Sequence, residues 1–403
     1  MTMPEQKKAV VPRLRFPEFR DAGPWEVKRL GDVAEVNAAG DLDFSQFSPV
    51  LTQEHIYPIY SNSIAQEGLY GFSTYPKYKK NSVTITARGT LGVAFYRDHD
   101  FVGIGRLLIV NARQEISPRY LKEVWNYLVR EPFENGGIPQ LTAIKARTIK
   151  LVFPSLPEQQ KIADCLSSLD ELIKLQAKQL EALQAHKKGL MQQLFPREGE
   201  TTPRLRFPEF RDAGPWENIQ VSDFGTIVTG KTPSTSNPKY WNGRFAWVTP
   251  TDISDTKYIY TTDRLLTSEG VQLIGVLPEN TVLITCIASI GKNAILKVPG
   301  SCNQQINAII PNSNFNSDFI YYLFCKNQTI LQNQAGTSAT AIIPKSAFEK
   351  FYFHVPKLPE QQKIADCLSS LDELIELQAK QLEALQAHKK GLMQQLFPQE
   401  IDL

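Results

Sequence analysis

The chain has 403 residues, 42% of them hydrophobic, and a formal net charge of +2. That length accommodates two or more globular cores, the composition excludes a disordered chain, and the charge is too small to argue by itself for a nucleic-acid partner. No apolar run approaches the roughly 18 residues of a bilayer span, and the opening "MTMPEQKKAVVPRLRF" lacks the apolar stretch of a signal peptide, so a cytoplasmic protein with no membrane contact is expected.

Along the chain, constant and variable stretches alternate. "PRLRFPEFRDAGPWE" occupies Pro12 to Glu26 and recurs from Pro203 to Glu217. A 41-residue stretch opening "LPEQQKIADCLSSLDELI" starts at Leu156 and again at Leu358, with the single change of Lys174 to Glu376. The expected segments are therefore an N-terminal repeat segment 1–26, a first variable head 27–155, a helical stretch 156–196, a linker 197–217 repeating the N-terminal segment, a second head 218–357, and a second helical stretch with its tail, 358–403.

The first head carries 15 Lys and Arg against 12 Asp and Glu, and the second 11 against 8, whereas the helical stretches are neutral or acidic. The positive charge thus sits on the variable parts. In the first head, "GLYGFSTYPKYKKNS" interleaves aromatic rings with Lys77, Lys79 and Lys80, and includes Tyr75, while "TARGTLG" sets Arg88 and Thr90 in a glycine turn. Such basic groups suit phosphates, and Arg88 with neighbouring hydroxyls and amides suits base edges. Short β-rich runs such as "SVTITA", and a helix near "PRYLKEVWNYLV", give a mixed α/β head.

The helical stretches have apolar residues at 162, 166, 169, 173, 180, 183, 190 and 194, the 4-3 spacing of a heptad seam, interrupted by Gln176 and Lys187. Pro157 and Glu158 suit a first turn, and Phe195-Pro196 a stop. Each rod spans about 57 Å at 1.5 Å per residue. Its single apolar stripe requires a partner, and the copy within the same chain is the nearest. A parallel pair would stretch the linker almost fully over that distance and oppose Lys187 to Lys389 in the seam. An antiparallel pair avoids both and sets Lys187 against a leucine such as Leu371.

The second head repeats the plan with a different sequence. "GTIVTGKT", Gly225 to Thr232, matches the P-loop pattern, but "PSTSNP" follows where a helix is needed, so a nucleotide-binding role for Lys231 is not expected. "NPKY" has Lys239 where an adenine methyltransferase loop has a second proline, and no glycine-rich cofactor turn accompanies it. The five cysteines form no CxxC pair, and the histidines suggest neither metal ligands nor a catalytic triad, so no catalytic, cofactor or metal residue is assigned. For DNA contact the second head offers Lys231, Thr232, Ser234, Lys239, Tyr240, Lys292, Asn303, Gln304 and Gln305, the amides being suited to bidentate pairing with adenine.

The order head, rod, head, rod, with "LPEQQ" opening each rod, resembles the specificity subunit of type I restriction-modification enzymes over essentially the whole chain. "GKTPS…YWNG…W" and "LPENTVLI…A.IG" in the second head and "YPIYSN…TARGTLG" in the first carry the likeness further. The resemblance implies an α+β fold: two globular target-recognition domains separated by an intramolecular antiparallel coiled coil. It implies that each domain reads one half of an asymmetric bipartite site in double-stranded DNA. It also implies docking of two methyltransferase subunits on the helices, with restriction subunits joining through them. S-adenosylmethionine, ATP and Mg²⁺ are then expected on those partners and none on this chain. The competing expectation is a non-catalytic scaffold whose two heads bind proteins.

Overall fold

The computed structural model describes residues 10–129, 140–253, 256–335 and 342–398; the first four residues of "GGIPQLTA" and residues 336–341 of "AGTSATAI" lie outside them. The chain divides into two compact units, Met1–Ala177 with Lys380–Leu403, and Lys178–Ala379.

In the first unit the elements run β1 (Glu26–Arg29), α1 (Leu30–Val33), β2 (Ala34–Ala38), β3 (Phe47–Ser48), β4 (Tyr57–Tyr60), β5 (Leu69–Ser73), β6 (Ser82–Ile85), β7 (Ala94–Arg97), β8 (Val102–Gly103), β9 (Leu108–Ala112), α2 (Pro118–Leu128), α3 (Ala143–Thr148), β10 (Lys150–Phe153) and the opening half of α4 (Leu156–Leu194). The larger sheet has the order β2-β9-β6-β7, a second sheet β3-β5-β4-β8, and β1 pairs with β10. Ser117 caps α2 with Pro118 in its first turn, which satisfies an otherwise orphaned amide.

The second unit runs β11 (Glu217–Gln220), β12 (Gly225–Thr229), β13 (Trp241–Val248), β14 (Tyr258–Ile259), β15 (Leu265–Leu266), α5 (Ser268–Ile274), β16 (Thr281–Thr285), β17 (Asn293–Leu296), β18 (Gly300–Cys302), β19 (Ile306–Pro311), α6 (Ser317–Lys326), α7 (Gln328–Gln334), α8 (Lys345–Phe348), β20 (Tyr352–Val355) and the opening half of α9 (Leu358–Leu396). Its sheets are β12-β19-β16-β17-β14, β15-β13-β18 and β11-β20. The β16 side chains alternate between two cores: Val282 and Ile284 join one cluster, Leu283 the other. That is the two-residue period of a strand covered on both faces. The heads therefore share one plan, and the second adds β14 at the end of its larger sheet.

Each helix is 39 residues long. Its opening turns belong to the core of its own head: Ile162, Ala163 and Leu166 pack with Tyr120 and Phe153, and Ile364, Ala365 and Leu368 with Phe319 and Tyr322. Into the first of these cores come Leu396 and Phe397 from the end of α9, and into the second Leu194 and Phe195 from the end of α4. In each unit the start of one helix thus lies against the end of the other, which is the antiparallel arrangement. The linker folds back accordingly, the Leu205 amide donating to the Gln193 carbonyl at 3.0 Å.

The two invariant segments explain one another. Arg15 donates to both carboxylate oxygens of Glu158 at 2.8 and 2.6 Å, and Arg206 to both of Glu360 at 2.8 and 2.7 Å. The Gln after each of these glutamates ties the N-cap residue of α2 or α6 to the joint: Gln159 accepts from the Ser117 amide and donates to the Pro154 carbonyl, and Gln361 does the same with the Asn316 amide, at the residue before Ser317–Lys326, and the Pro356 carbonyl. Sequence identity at "RFPEF" and "LPEQQ" is therefore geometric necessity at a buried joint.

Lys187, expected opposite a leucine such as Leu371, carries its ammonium to the carboxylate of the next residue, Asp372, 5.6 Å from the Tyr322 ring centre. A lysine stem long enough to cross the seam leaves its charge at the rim, where a carboxylate costs less to keep hydrated than inside.

Candidate nucleic-acid interface

In the second head three loops meet at one end of the larger sheet. The Gly230 amide donates to the Ile306 carbonyl at 3.0 Å and the Lys231 amide to the Cys302 carbonyl at 2.8 Å, which joins the loop after β12 to the loop before β19. The Cys286 amide donates to the Gln305 carbonyl at 2.8 Å, which adds the hairpin between β16 and β17 that carries Lys292. Gly230 is required by this close approach, because a Cβ there would collide with the Cys302 and Asn303 carbonyls. Gly225–Thr229 is strand, and the first helical turn after Lys231 is the three-residue turn Pro238–Tyr240. The P-loop-like string thus owes its glycine to strand packing, and its lysine does not open a helix.

Within this cluster Lys231, Thr232, Gln304 and Lys292 are exposed. The Thr232 hydroxyl donates to Gln304 Oε1 at 2.6 Å. Asn303 differs from expectation: it is 7% exposed, and its side chain accepts from the Gln305 amide and donates to Gln305 Oε1 at 2.9 Å. It shapes the loop and holds Gln305, and does not present itself to a ligand. Ser234, Lys239 and Tyr240 lie on the flank, tied in by two indoles: Trp247 Nε1 donates to the Lys231 carbonyl at 3.1 Å and Trp241 Nε1 to the Ser234 carbonyl at 3.0 Å. Arg264, which was not singled out from the sequence, stacks over Trp241 at 3.6 Å with its own side chain exposed.

The first head builds the same end with different bonds. The Ala39 amide donates to the Leu107 carbonyl at 2.7 Å, as Gly230 does to Ile306. Asn62 then bridges two loops, accepting from the Ala87 amide at 2.7 Å and donating to the Gly105 carbonyl at 2.6 Å. This gathers the Arg88 and Thr90 hairpin with Arg106, another residue the sequence did not single out. Arg106 is exposed and holds a left-handed φ of 69°. In the other head Gln305 stands at the equivalent place, between the strand that follows Gly300 and β19. Comparing "GIGRLLIV" with "CNQQINAII" around their shared strand is the signal that reveals it.

Lys77 belongs to this end, since its ammonium lies 3.2 Å from where a Cβ on Gly40 would be. Lys79 and Lys80 do not join it. They precede β6 whereas Arg88 follows it, and they are engaged with Asp100, Lys79 through its ammonium at 3.0 Å and Lys80 through its amide at 2.8 Å. That pairing holds the Asp100 carboxyl below the usual range. Tyr75 is half exposed on the loop after β5, beside Asp43. The structure thus divides the first head's basic residues into two groups.

Burial decides the remaining chemistry. The five cysteines are all free. Burial pushes the Cys302 thiol up to about 12 and the Cys286 thiol to about 11, which disfavours the thiolate that a nucleophile or metal ligand needs. Among the described residues no group of three or more His, Cys, Asp or Glu is placed to hold a metal ion.

With this geometry in hand, comparison with known proteins is specific. The family model described as type I restriction modification DNA specificity domain matches twice, over residues 23–185 and 214–387. A type I restriction enzyme MjaIX specificity subunit from Methanocaldococcus jannaschii is 36% identical over 178 residues, covering 42% of this chain and 41% of that protein. The EcoR124I/EcoR124II specificity subunit from Escherichia coli is 30% identical over 191 residues, covering 42% of this chain and 46% of that protein. The matched stretches thus span less than half the length of these two relatives. In fold, the chain is similar to the crystal structure of the type I restriction-modification S subunit from M. genitalium, with a TM-score of 0.68 at 14% identity, covering 97% of this chain and 100% of that one.

Proposed function

The chain belongs to the family of type I restriction-modification DNA specificity domains, and on that premise we propose that it is the non-catalytic, sequence-specific DNA-recognition subunit of a type I restriction-modification complex. Each head reads one half of an asymmetric bipartite site in double-stranded DNA. The carrying observation is that both heads gather three loops at the same end of the same sheet and fill them with different residues: Lys77, Arg88, Thr90 and Arg106 in one, Lys231, Thr232, Lys292, Gln304 and Gln305 in the other. A shared frame with exchanged side chains suits readers of different sequences, the lysines engaging phosphates and the arginines and amides engaging base edges. Lys79 and Lys80 are assigned to backbone attraction only, and Ser234, Lys239 and Tyr240 to the flank of the second reading surface.

The remaining assignments follow the family. Two methyltransferase subunits dock on the helices, restriction subunits join through them, and S-adenosylmethionine, ATP and Mg²⁺ belong to those partners. The helices set the unread gap in the DNA site. Among the described residues no helix is long and apolar enough to cross a membrane, and the proposed place of action is the cytoplasm.

The test is domain exchange. Replacing residues 218–357 by the equivalent head of another subunit, followed by methylome sequencing, is expected to change one half-site and leave the other intact. A change in both halves would refute independent reading. Failure of the complete methyltransferase complex to retard any duplex would favour the protein-binding scaffold instead.

A further inference from the structure

The sheets β3-β5-β4-β8 and β15-β13-β18 follow one plan, and in each head this sheet brings a further segment to the end where the three loops gather. The Ile104 amide, after β8, donates to the Tyr60 carbonyl of β4 at 2.9 Å, and the Asn303 amide, after β18, donates to the Val248 carbonyl of β13 at 2.9 Å. β4 and β13 therefore both end beside the loops that bear Arg106 and Gln305. The antiparallel neighbours of these strands, β5 and β15, start from the same end. Their approaches are residues 61–68 in the first head and residues 262–264 in the second.

In the first head the Ser61 amide closes the turn on the Gly68 carbonyl at 2.8 Å, and the turn includes Asn62, which bridges the Ala87 and Gly105 loops. Gln66 and Glu67 hold left-handed backbones, with φ of 48° and 55°. Turns with two such residues in succession favour Asn-Gly or Gly-Gly, because a side chain is strained there. Arg97, 1% exposed, maintains the strained pair from below. Its Nη2 donates to the Glu67 carbonyl at 2.7 Å, its Nε donates to the Thr84 hydroxyl at 3.0 Å, and its guanidinium carbon lies 3.5 Å from the Tyr60 ring centre. The Glu67 carboxylate also turns to Arg97, at 3.8 Å. Gln66 is exposed, and its side-chain amide bonds no other described residue. Strain held by a buried cation thus leaves one amide outward at a site of close loop packing.

In the second head the Arg264 carbonyl accepts from the Trp247 amide at 3.3 Å and from the Thr262 hydroxyl at 2.7 Å. The Arg264 guanidinium carbon lies 3.6 Å from the Trp241 ring centre and 5.1 Å from that of Trp247, the two indoles that anchor the Ser234 and Lys231 carbonyls. Both indoles are buried and Arg264 is exposed, and no described residue accepts a hydrogen bond from its guanidinium. Stacking restrains the guanidinium while its N–H edge stays unspent, which is the pre-organisation that bidentate pairing needs.

We propose that these approaches form a fourth reading element in each head, and that Gln66 and Arg264 are specificity-determining residues: Gln66 pairs with an adenine in the half-site of the first head, and Arg264 pairs with a guanine in the half-site of the second. The inference rests on the reading that each head recognises one half of a DNA site. Each assignment follows from the donor and acceptor pattern of the side chain, an amide matching the adenine edge and a guanidinium fork matching the guanine edge in the major groove.

The experiment is binding-site selection from random duplexes by the complete methyltransferase complex, followed by competition with single-base variants of the selected site over a range of salt. The wild type is expected to require an adenine in one half and a guanine in the other. Gln66→Gly relieves the left-handed backbone, so the melting temperature should hold or rise while the preference for that adenine falls about tenfold. Arg264→Lys keeps the charge and loses the fork, so the preference for that guanine should fall about tenfold with the salt dependence unchanged. Each variant should leave the other half-site as it was, and each residue stands or falls by its own variant. An unchanged preference, an affinity lowered equally for every sequence, or a selected half-site that lacks the assigned base overturns that residue's role and leaves DNA recognition by the heads in place. A wild-type complex that selects no sequence overturns the recognition itself, and the inference with it.

Discussion

The ammonium of Lys389, near the end of α9, lies 2.5 Å from the carboxylate of Asp170 in α4, and Lys187 repeats this contact with Asp372. Each pair joins the late turns of one helix to the early turns of the other, so the same two residue types lock the antiparallel register in both units. Lys122 of the first head adds a second ammonium to Asp170 at 3.1 Å.

This contact makes the first unit acid-sensitive. Burial raises the Asp170 carboxyl, but Lys122 and Lys389 outweigh it and the net position is lowered. The stabilisation is therefore fully present above the unfolded carboxylate value of about 3.9 and is lost as pH falls through the lower folded value. With Asp170 38% exposed, screening limits the effect of Asp170→Asn to about 1 kcal/mol at pH 7. Urea melts of wild type and variant should differ at neutral pH and converge at low pH; an equal difference at both would exclude the ion pair as its source.

The buried joints predict a larger, non-additive effect. Arg15→Met leaves Glu158 charged and unpaired where its side chain is 1% exposed, and should cost about 3–5 kcal/mol. Arg15→Met with Glu158→Leu removes both charges and should recover most of that loss. Additive costs in denaturant melts would show that the pair acts through packing alone.

Gly230 links strand packing to readout. Gly230→Ala forces a Cβ onto two backbone carbonyls, with an overpacking cost of about 1–3 kcal/mol. The Lys231, Gln304 and Gln305 loops should separate, and sequence-specific binding at the second half-site should weaken while the first head keeps its preference. Unaltered discrimination in a binding-site selection would count against the three-loop surface.

Within the first head, Arg106→Ala and Lys79→Ala should behave differently. Arg106 belongs to the reading end, so its loss should relax base preference at one position by about 1–3 kcal/mol. Lys79 is paired with Asp100 away from that end, so its loss should lower affinity for all sequences slightly. Competition binding against a panel of single-base variants distinguishes the two, and identical profiles would reject the division.

Adding one heptad to both helices lengthens each by about 10.5 Å. Methylation-site mapping should then find the unread gap about three base pairs longer. An unchanged gap would separate the helices from the spacing of the half-sites.

Much of this architecture was legible in the amino-acid order. An exact repeat at Pro12 and Pro203, and one with a single change at Leu156 and Leu358, marked the domain plan, and heptad spacing marked two long helices, because both are local and periodic signals. The antiparallel direction also followed, since a short linker and a seam lysine constrain it through distance and charge. The Gly-Lys-Thr string was set aside because Pro238 and its polar neighbours cannot continue a helix, and the first helical turn after Lys231 is indeed only the three residues Pro238–Tyr240. Tertiary structure alone decided which of the named side chains meet. Lys77 and Lys79 are two residues apart yet belong to opposite ends of a four-residue strand, while Arg88 and Arg106 come together only because β6 and β9 are neighbours in one sheet. Asn303 was indistinguishable in sequence from its exposed neighbours until the sheet turned it inward, and Lys187 found Asp372 only through the register of two helices. Local pattern determines what a segment becomes; which side chains share a surface depends on contacts between residues far apart in the chain, and no short stretch carries that information.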